Sequence, residues 1–256
     1  MENKLDITAS IVLYKEDATE LKKTVECFLK TKMSKKLYLI DNTPSKIFKN
    51  SFNQPEIEYF GIGKNIGFGA AHNKVLCQLE KGSKFHLILN PDVIFSPETI
   101  PNLIEQLKKD GKTSMIAPKV LFPSGEHQYS CRRYPTLIEL LIRRIPILKP
   151  WFKEVIDRGI YKDKDLDTPF FAEYLTGCFQ LYKTVDFVSL KGFDERYFLY
   201  MEDVDICKKI DVSGKKKMYY PNQEITHILK QGSSKKVNLF FRHLFSSIKY
   251  FKKWGF

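Results

Sequence analysis

Residues Ile7–Leu29 read ITASIVLYKEDATELKKTVECFL, and two periodicities meet in them. Ile7–Tyr14 is a β-branched run of strand type. Asp17 then stands where a helix is capped, and Leu21, Val25, Phe28 and Leu29 recur at helical spacing. The same order repeats outward. Strand Leu37–Ile40 ends in the turn cluster Asp41-Asn42-Thr43-Pro44, strand Ile57–Phe60 leads into a glycine-rich turn and helix Phe68–Leu79, and strand Phe85–Leu89 ends at Asn90-Pro91-Asp92. Ser96-Pro97-Glu98 opens a helix running to Lys109. Such alternation predicts an α/β fold with a central, mostly parallel sheet flanked by helices. Open α/β sheets bind ligands beyond the carboxyl ends of their strands, so Tyr14, Asp41, Gly61–Asn65 and Asn90–Asp92 are expected on one rim.

Beyond Met115–Pro118 the alternation degrades. Phe122–Thr168 reads as an insertion over the ligand face and contains the basic apolar segment Leu137–Lys153. Regularity returns at the strand Tyr174–Tyr182, followed by a short helix, a helix from about Met201 to Val212, and two short strands around Lys217–Tyr220 and Glu224–His227. Lys235–Lys253 places Val237, Phe240, Phe241, Leu244, Phe245, Ile248 and Phe251 at helical spacing, with no acidic residue after Glu224, and reads as a basic amphipathic helix.

A chain of 256 residues with 43% hydrophobic and 28% charged positions can bury a core, which excludes disordered and collagen-like classes. The net charge of +12 calls for an anionic partner, and nucleic acid, anionic lipid and nucleotide-diphosphate substrates all qualify. The five cysteines show neither a C-x-x-C pair nor a zinc spacing and read as incidental thiols. Leu137–Leu148 is interrupted by Glu139, Arg143, Arg144 and Pro146, short of a membrane span. The first residues carry no signal-peptide pattern, so a cytoplasmic protein is expected.

Four constellations could carry chemistry. Gly61-x-Gly63-x-x-x-Gly67 with Gly69 imitates a dinucleotide fingerprint, but it follows the third strand and has the wrong spacing, so a tight turn is the better reading. In Leu87–Asp92 a hydrophobic strand delivers Asp92 to the sheet edge, where it suits a hard divalent cation shared with substrate phosphates; a plain turn residue explains it equally. Gly192–Asp205, GFDERYFLYMEDVD, holds five carboxylates within twelve residues among Phe193, Tyr197, Phe198 and Tyr200. Acids in a first helical turn favour the helix dipole, yet this density of acids and rings also suggests a pocket wall that holds a sugar and tunes a general base. His227 leaves a short strand into a small-residue loop, HILKQGSS, where an imidazole is either structural or a metal or phosphate contact.

Taken in order, ASIVLY (Ala9–Tyr14), LIDNTPS (Leu39–Ser45), GKNIGFGAAHN (Gly63–Asn73), LNPDV (Leu89–Val93), GFDERYFLYMEDVDIC (Gly192–Cys207), HILKQGSS (His227–Ser234) and the tail HLFSSIKYFKKWG (His243–Gly255) resemble the family 2 glycosyltransferases of the GT-A fold, in their rhamnosyltransferase-like branch of bacterial surface-polysaccharide synthesis. The resemblance spans nearly the whole chain. It implies an inverting sugar transfer from a nucleotide-diphosphate donor, with dTDP-rhamnose favoured, to a glycan or polyprenyl-diphosphate-linked acceptor. Tyr14, Asp41, Asn65 and Asn73 would then serve the nucleotide, Asp92 and His227 a divalent cation (Mg²⁺ or Mn²⁺), Asp203 as general base and Glu202 as its acceptor-positioning partner. Asn90 stands where the general D-x-D motif has its first Asp, which bears on metal affinity rather than on fold.

On this reading residues 1–234 form the GT-A domain, 1–120 mainly for the donor and 121–234 mainly for acceptor and catalysis, and 235–256 form the basic helix. That helix either meets an anionic membrane as a peripheral anchor or packs on the domain; the sequence supports both, and a homodimer is compatible with it. UDP-hexose, UDP-N-acetylhexosamine and UDP-galactofuranose donors fit comparable pockets. A catalytically silent scaffold would not need Asp92, Glu202, Asp203 and His227 together. A nucleic-acid-binding protein is disfavoured because its aromatics would interleave with basic residues, whereas here they cluster with acids. A nucleotidyltransferase would need a glycine- and arginine-rich loop after Tyr14, which is missing.

Overall fold

Thr8 and Ser10 are buried as completely as Ile7, Ala9 and Ile11. A strand covered on both faces in this way sits at the centre of a parallel sheet with helices on either side. The computed structural model describes residues 5–144, 147, 150–228 and 237–255. Its elements are, in order, β1 (Leu5–Leu13), α1 (Ala18–Lys30), β2 (Lys35–Asp41), β3 (Ile57–Gly61), α2 (Phe68–His72), α3 (Leu76–Gly82), β4 (Ser83–Leu89), β5 (Val93–Phe95), α4 (Thr99–Lys109) and β6 (Thr113–Leu121). There follow β7 (Cys131–Arg132), α5 (Leu137–Arg144), α6 (Lys153–Gly159), β8 (Phe170–Phe171), β9 (Tyr174–Leu175), β10 (Phe179–Lys183), α7 (Thr184–Ser189), α8 (Glu202–Val212), β11 (Lys216–His227) and α9 (Val237–Trp254).

The main sheet runs β3-β2-β1-β4-β10-β6-β11-β5, with β8 on β11, and β7 pairs β9 in a second small sheet. β3, β2, β1 and β4 are mutually parallel. Beyond them the sheet is mixed: β10 lies antiparallel to both β4 and β6, β6 runs parallel to β11, and β5 is antiparallel to β11. Asp17 caps α1 as its sequence position demands, accepting from the Thr19 and Glu20 amides at 2.8 and 3.1 Å. Leu21, Val25 and Phe28 of α1 and Ile100, Leu103 and Leu107 of α4 close one face of the sheet. Ala71, Val75, Phe187, Val204, Ile206, Tyr250 and Phe251 build the core on the other.

Strand β5 lies where only a turn leading into the α4 cap was expected, and three further elements differ from their sequence reading. The strands around Lys217–Tyr220 and Glu224–His227 are one, β11, whose pairing with β6 shifts register between Tyr220 and Glu224, where Pro221 has no N–H to give to a ladder. The helix expected over Phe68–Leu79 breaks into α2, a tight turn Asn73–Val75 and α3. The strand Tyr174–Tyr182 divides at Thr176-Gly177-Cys178 into β9 and β10, which belong to different sheets.

Of the insertion, α5 and α6 are described and residues 145, 146, 148 and 149 are not. Leu229–Ser234 of the loop after His227, the boundary expected at 234/235 and the expected helix start at Lys235 also lie outside the described residues. From Val237 on, the two readings of the terminal helix divide between its faces. Tyr250 and Phe251 are buried in the core, burial of a Phe contributing about 1.5–3 kcal/mol, whereas Phe240, Phe241, Leu244, Phe245 and Ile248 are exposed.

Candidate active site

The peptide Gly177-Cys178, at the break between β9 and β10, joins the two halves of the site. The Gly177 amide donates to Asp203 Oδ2 at 3.2 Å, and the Cys178 carbonyl accepts from the Asn90 amide at 2.9 Å. One turn therefore touches both the acidic segment at the start of α8 and the end of β4.

On the β4 side, Asp92 lies between β4 and β5. Thr24 of α1 holds this bend from below, donating its hydroxyl to the Pro91 carbonyl and accepting from the Val93 amide. Because β5 pairs antiparallel with β11 and Val93 lies opposite His227, the imidazole arrives beside Asp92, with Nε2 3.2 Å from Oδ1 and 3.3 Å from the Asn90 side-chain amide. Gln128 fixes the ring from behind, its Oε1 3.1 Å from Nδ1 and its amide donating to the His227 carbonyl. Burial alone would depress this imidazole; Cys178 and Asp92 outweigh burial and lift it to about 10. Asp92 does not cap α4, whose cap is Glu98.

Among the described residues no three His, Cys, Asp or Glu side chains converge as a self-sufficient metal cage. The donor set fits an oxygen-seeking cation of the Mg²⁺ or Mn²⁺ type all the same. Such an ion binds through one or two protein groups and completes its shell with water and substrate phosphate, and Asp92 and His227 converge at the sheet edge in that manner. His227 must surrender its ring proton to serve as a ligand.

On the other side, Tyr200 and Met201 both hold left-handed backbone, φ 67° and 71°, immediately before α8. Side chains with a Cβ resist this region, at a cost of about 1–3 kcal/mol per residue. The turn delivers Glu202 into the core and leaves Asp203 half-buried. Glu202 Oε2 is buried without a hydrogen-bond partner. Burial, then the charge of Asp203, push the Glu202 carboxyl well above the usual carboxylate range. Burial raises Asp203 too, but the Gly177 and Val204 amides and the charge of Arg132 oppose it. Both carboxyls are thus raised by burial, but Asp203 has amide donors and a cation that oppose the rise, whereas Glu202 has its burial reinforced by the charge of Asp203.

Of the four residues the resemblance assigns to the nucleotide, Tyr14 stands exposed at the end of β1. Asp41 ends β2 fully buried, its oxygens taken by the Thr43 amide and the Tyr59 hydroxyl, both at 2.7 Å. Asn65 accepts from the Gly67 amide at 3.0 Å and so shapes the glycine turn. That turn is pressed against the acidic segment: the Phe68 amide donates to the Phe198 carbonyl at 3.0 Å, and at Gly67, φ 95°, any Cβ would collide with the same carbonyl oxygen. Asn73 is committed at both ends of its amide, accepting from the Phe193 N–H at 2.9 Å and donating to the Phe193 carbonyl at 2.8 Å. Asp41 and Asn73 thus tie their own loops to the rest of the protein, and Tyr14 is exposed with Lys15 Nζ 5.6 Å from its ring centroid.

Sequence reasoning did not single out Arg132, Gln128 or Thr24, and it placed Asp205 only on one helix face with Glu202. The first three carry no local motif. Asp205 was visible as one more acid of the α8 turn, but its partners lie about fifty positions away.

No family model matches the chain. It is 27% identical over 199 residues to an N-acetylglucosaminyl-diphospho-decaprenol L-rhamnosyltransferase of Mycobacterium tuberculosis, which covers 73% of this chain and 62% of that protein. It is 26% identical over 226 residues to the rhamnosyltransferase WbbL of Escherichia coli, covering 84% of this chain and 81% of WbbL. The chain thus spans about three fifths of the mycobacterial relative. Among solved structures, GalNAc-T7 with UDP, GalNAc and Mn²⁺ superposes with a TM-score of 0.64 at 17% identity over 89% of this chain and 44% of its own. The mannosyltransferase PcManGT from Pyrobaculum calidifontis with GDP-Man and Mn²⁺ gives 0.60 at 16% identity over 90% and 59%. These two likenesses establish the fold.

Proposed function

We infer the activity of this chain from its membership of the rhamnosyltransferase-like glycosyltransferases of the GT-A fold: it transfers a sugar, rhamnose from dTDP-rhamnose in the favoured case, to a glycan or lipid-linked saccharide with inversion at the anomeric carbon. The observation that carries this reading is the Gly177-Cys178 turn, which sets a carboxylate base and an Asp–His pair on either side of one peptide.

A sugar hydroxyl is a weak nucleophile, and Asp203 takes its proton as it attacks the donor. Glu202, its carboxyl buried beside Asp203 and pushed well above the usual carboxylate range, leaves Asp203 as the base of the pair and serves as its acceptor-positioning partner. The nucleoside diphosphate departs on the side of Asp92 and His227. A divalent cation held by Asp92 and His227 would supply charge neutralisation for the departing phosphates. Attack opposite the leaving group needs no covalent enzyme intermediate. Tyr14 presents its ring to the nucleotide, with Asp41 and Asn65 holding the loops around it. UDP-sugars remain the second donor class.

The test is calorimetric titration of the protein with dTDP, UDP and GDP in turn, with and without Mn²⁺. Mn²⁺-dependent preference for dTDP supports the rhamnosyl reading; preference for UDP keeps the mechanism and moves the donor; binding of none, in either condition, overturns the donor site.

The acceptor side points to a membrane surface. No described helix is long and apolar enough to cross a membrane. The outward face of α9, however, exposes Phe241, Phe245 and Ile248 beside Lys252, flanked by Arg242 and Lys249, which also reach the Phe198 ring and the Arg196 carbonyl, and the helix carries no acid. An apolar stripe edged by cations suits an anionic lipid interface, where each Lys or Arg near the surface contributes about 1 kcal/mol. Since the inward face of α9 is core, deleting the helix would unfold more than it frees. Phe241→Glu with Phe245→Glu should instead leave the melting temperature nearly unchanged and abolish co-sedimentation with phosphatidylglycerol vesicles. Undiminished co-sedimentation would remove α9 from the interface.

A further inference from the structure

Asp205 lies two residues past the catalytic base, is completely buried, and takes no part in the transfer chemistry. A buried carboxylate must be paired, and the partners here come from the far end of the chain. Lys253 donates to both its oxygens, at 2.8 and 3.0 Å, Trp254 Nε1 donates at 2.7 Å and the Tyr197 hydroxyl at 3.2 Å. Lys253 also reaches Asp194 at 2.9 Å, Lys249 donates to the Arg196 carbonyl at 2.6 Å, and Ser246 to the Leu199 carbonyl at 2.9 Å. The Arg242 guanidinium lies over the Phe198 ring at 3.8 Å.

These contacts fall on both sides of Tyr200-Met201. Left-handed backbone at two successive residues with side chains persists only where its surroundings over-determine it. Met201 itself has no side-chain capping bond to hold the start of α8. The restraint comes from the Phe68–Phe198 bond and from α9, whose contacts reach both sides of the turn.

We propose that α9 is the positioning element of the catalytic pair: the latch from Lys253 and Trp254 to Asp205 holds the Tyr200-Met201 turn in its left-handed form and so aims Asp203 at the acceptor. The inference rests on Asp203 being the base. Lys253, Trp254 and Asp205 are positioning residues, and the terminal helix is part of the active site on its inner face whatever it meets on its outer one.

The test uses the full chain with Lys253→Met, Trp254→Phe, the pair of them, and Lys253→Arg, which keeps the cation. Three readouts are taken: kcat and donor KM, nucleotide titration, and hydrogen exchange across residues 198–206 with β1 as the reference for global opening. The double variant is expected to lose on the order of 10²-fold in kcat, as a misaimed reacting group does, with donor KM and nucleotide affinity nearly unchanged. Lys253→Arg should recover most of it. Exchange should quicken in 198–206 and not in β1. Unchanged kcat, or losses that strike donor affinity and β1 protection equally, would overturn the latch. If the wild-type protein transfers no sugar, the transferase reading fails, and exchange still decides the proposal: quickening confined to 198–206 supports the latch, and unchanged exchange overturns it.

Discussion

Asp203→Asn should abolish sugar transfer while leaving nucleotide binding nearly intact. The substitution keeps the size and the planar shape of the side chain but removes its ability to accept a proton, and a positioned general base contributes about 10²–10⁴-fold. The bonds of Asp203 run to the Gly177 and Val204 amides and not to Asp92 or His227, so the donor should not sense the change. A comparable loss of nucleotide affinity would move Asp203 to a structural or metal-binding role. The same residue sets a pH dependence. Burial raises the Asp203 carboxyl, and a base acts only when ionised, so kcat/KM should fall as the pH drops through a value above the usual carboxylate range. A profile flat down to the ordinary range of an exposed Asp would remove Asp203 from the proton transfer.

Asp92→Ala should make nucleotide titrations with and without Mn²⁺ coincide. Among the described residues the side chain is the carboxylate paired with His227 at the end of β4, and its loss leaves an imidazole and the Asn90 amide, too few donors for a hard cation. Loss of an outer-shell partner alone typically costs 10–100-fold in metal affinity, so removing a ligand should cost at least about 10²-fold. An unchanged metal titration would place the cation elsewhere. The fold should survive, because the bend at residues 91–93 is held through backbone groups by Thr24 rather than through the Asp92 carboxylate.

The substitution of Asn90 for the first Asp of a D-x-D pattern acquires a physical meaning in the structure. Its amide lies 3.3 Å from His227 Nε2, where a second carboxylate would compete with Asp92 for the same imidazole. Asp41 and Asn73 illustrate the opposite case. Both stand in motifs that resemblance assigns to the nucleotide, and both spend their polar atoms within the protein: Asp41 on Thr43 and Tyr59, Asn73 on the Phe193 backbone. A motif marks residues a site depends on, without distinguishing those that touch a ligand from those that hold the wall.

What could be read directly was whatever is written in short-range terms. The order β1, α1, β2, β3, β4 and α4, the Asp17 cap of α1, the helix from about Met201 to Val212 and the amphipathic terminal helix follow from periodicity and capping, which act within one or two turns of chain, whereas β5 and the break between α2 and α3 do not. The GT-A resemblance was equally legible, because the order and spacing of its motifs are properties of the string. The tertiary structure alone decided that β10 enters antiparallel between β4 and β6, that a register shift at Pro221 makes one strand of two, and that residue 92 meets 227, 177 meets 203, and 205 meets 253 and 254. Each of these joins groups separated by tens of residues or more. Their meeting depends on which packing of the whole chain buries the most apolar surface while pairing every buried charge, and no local pattern encodes that competition.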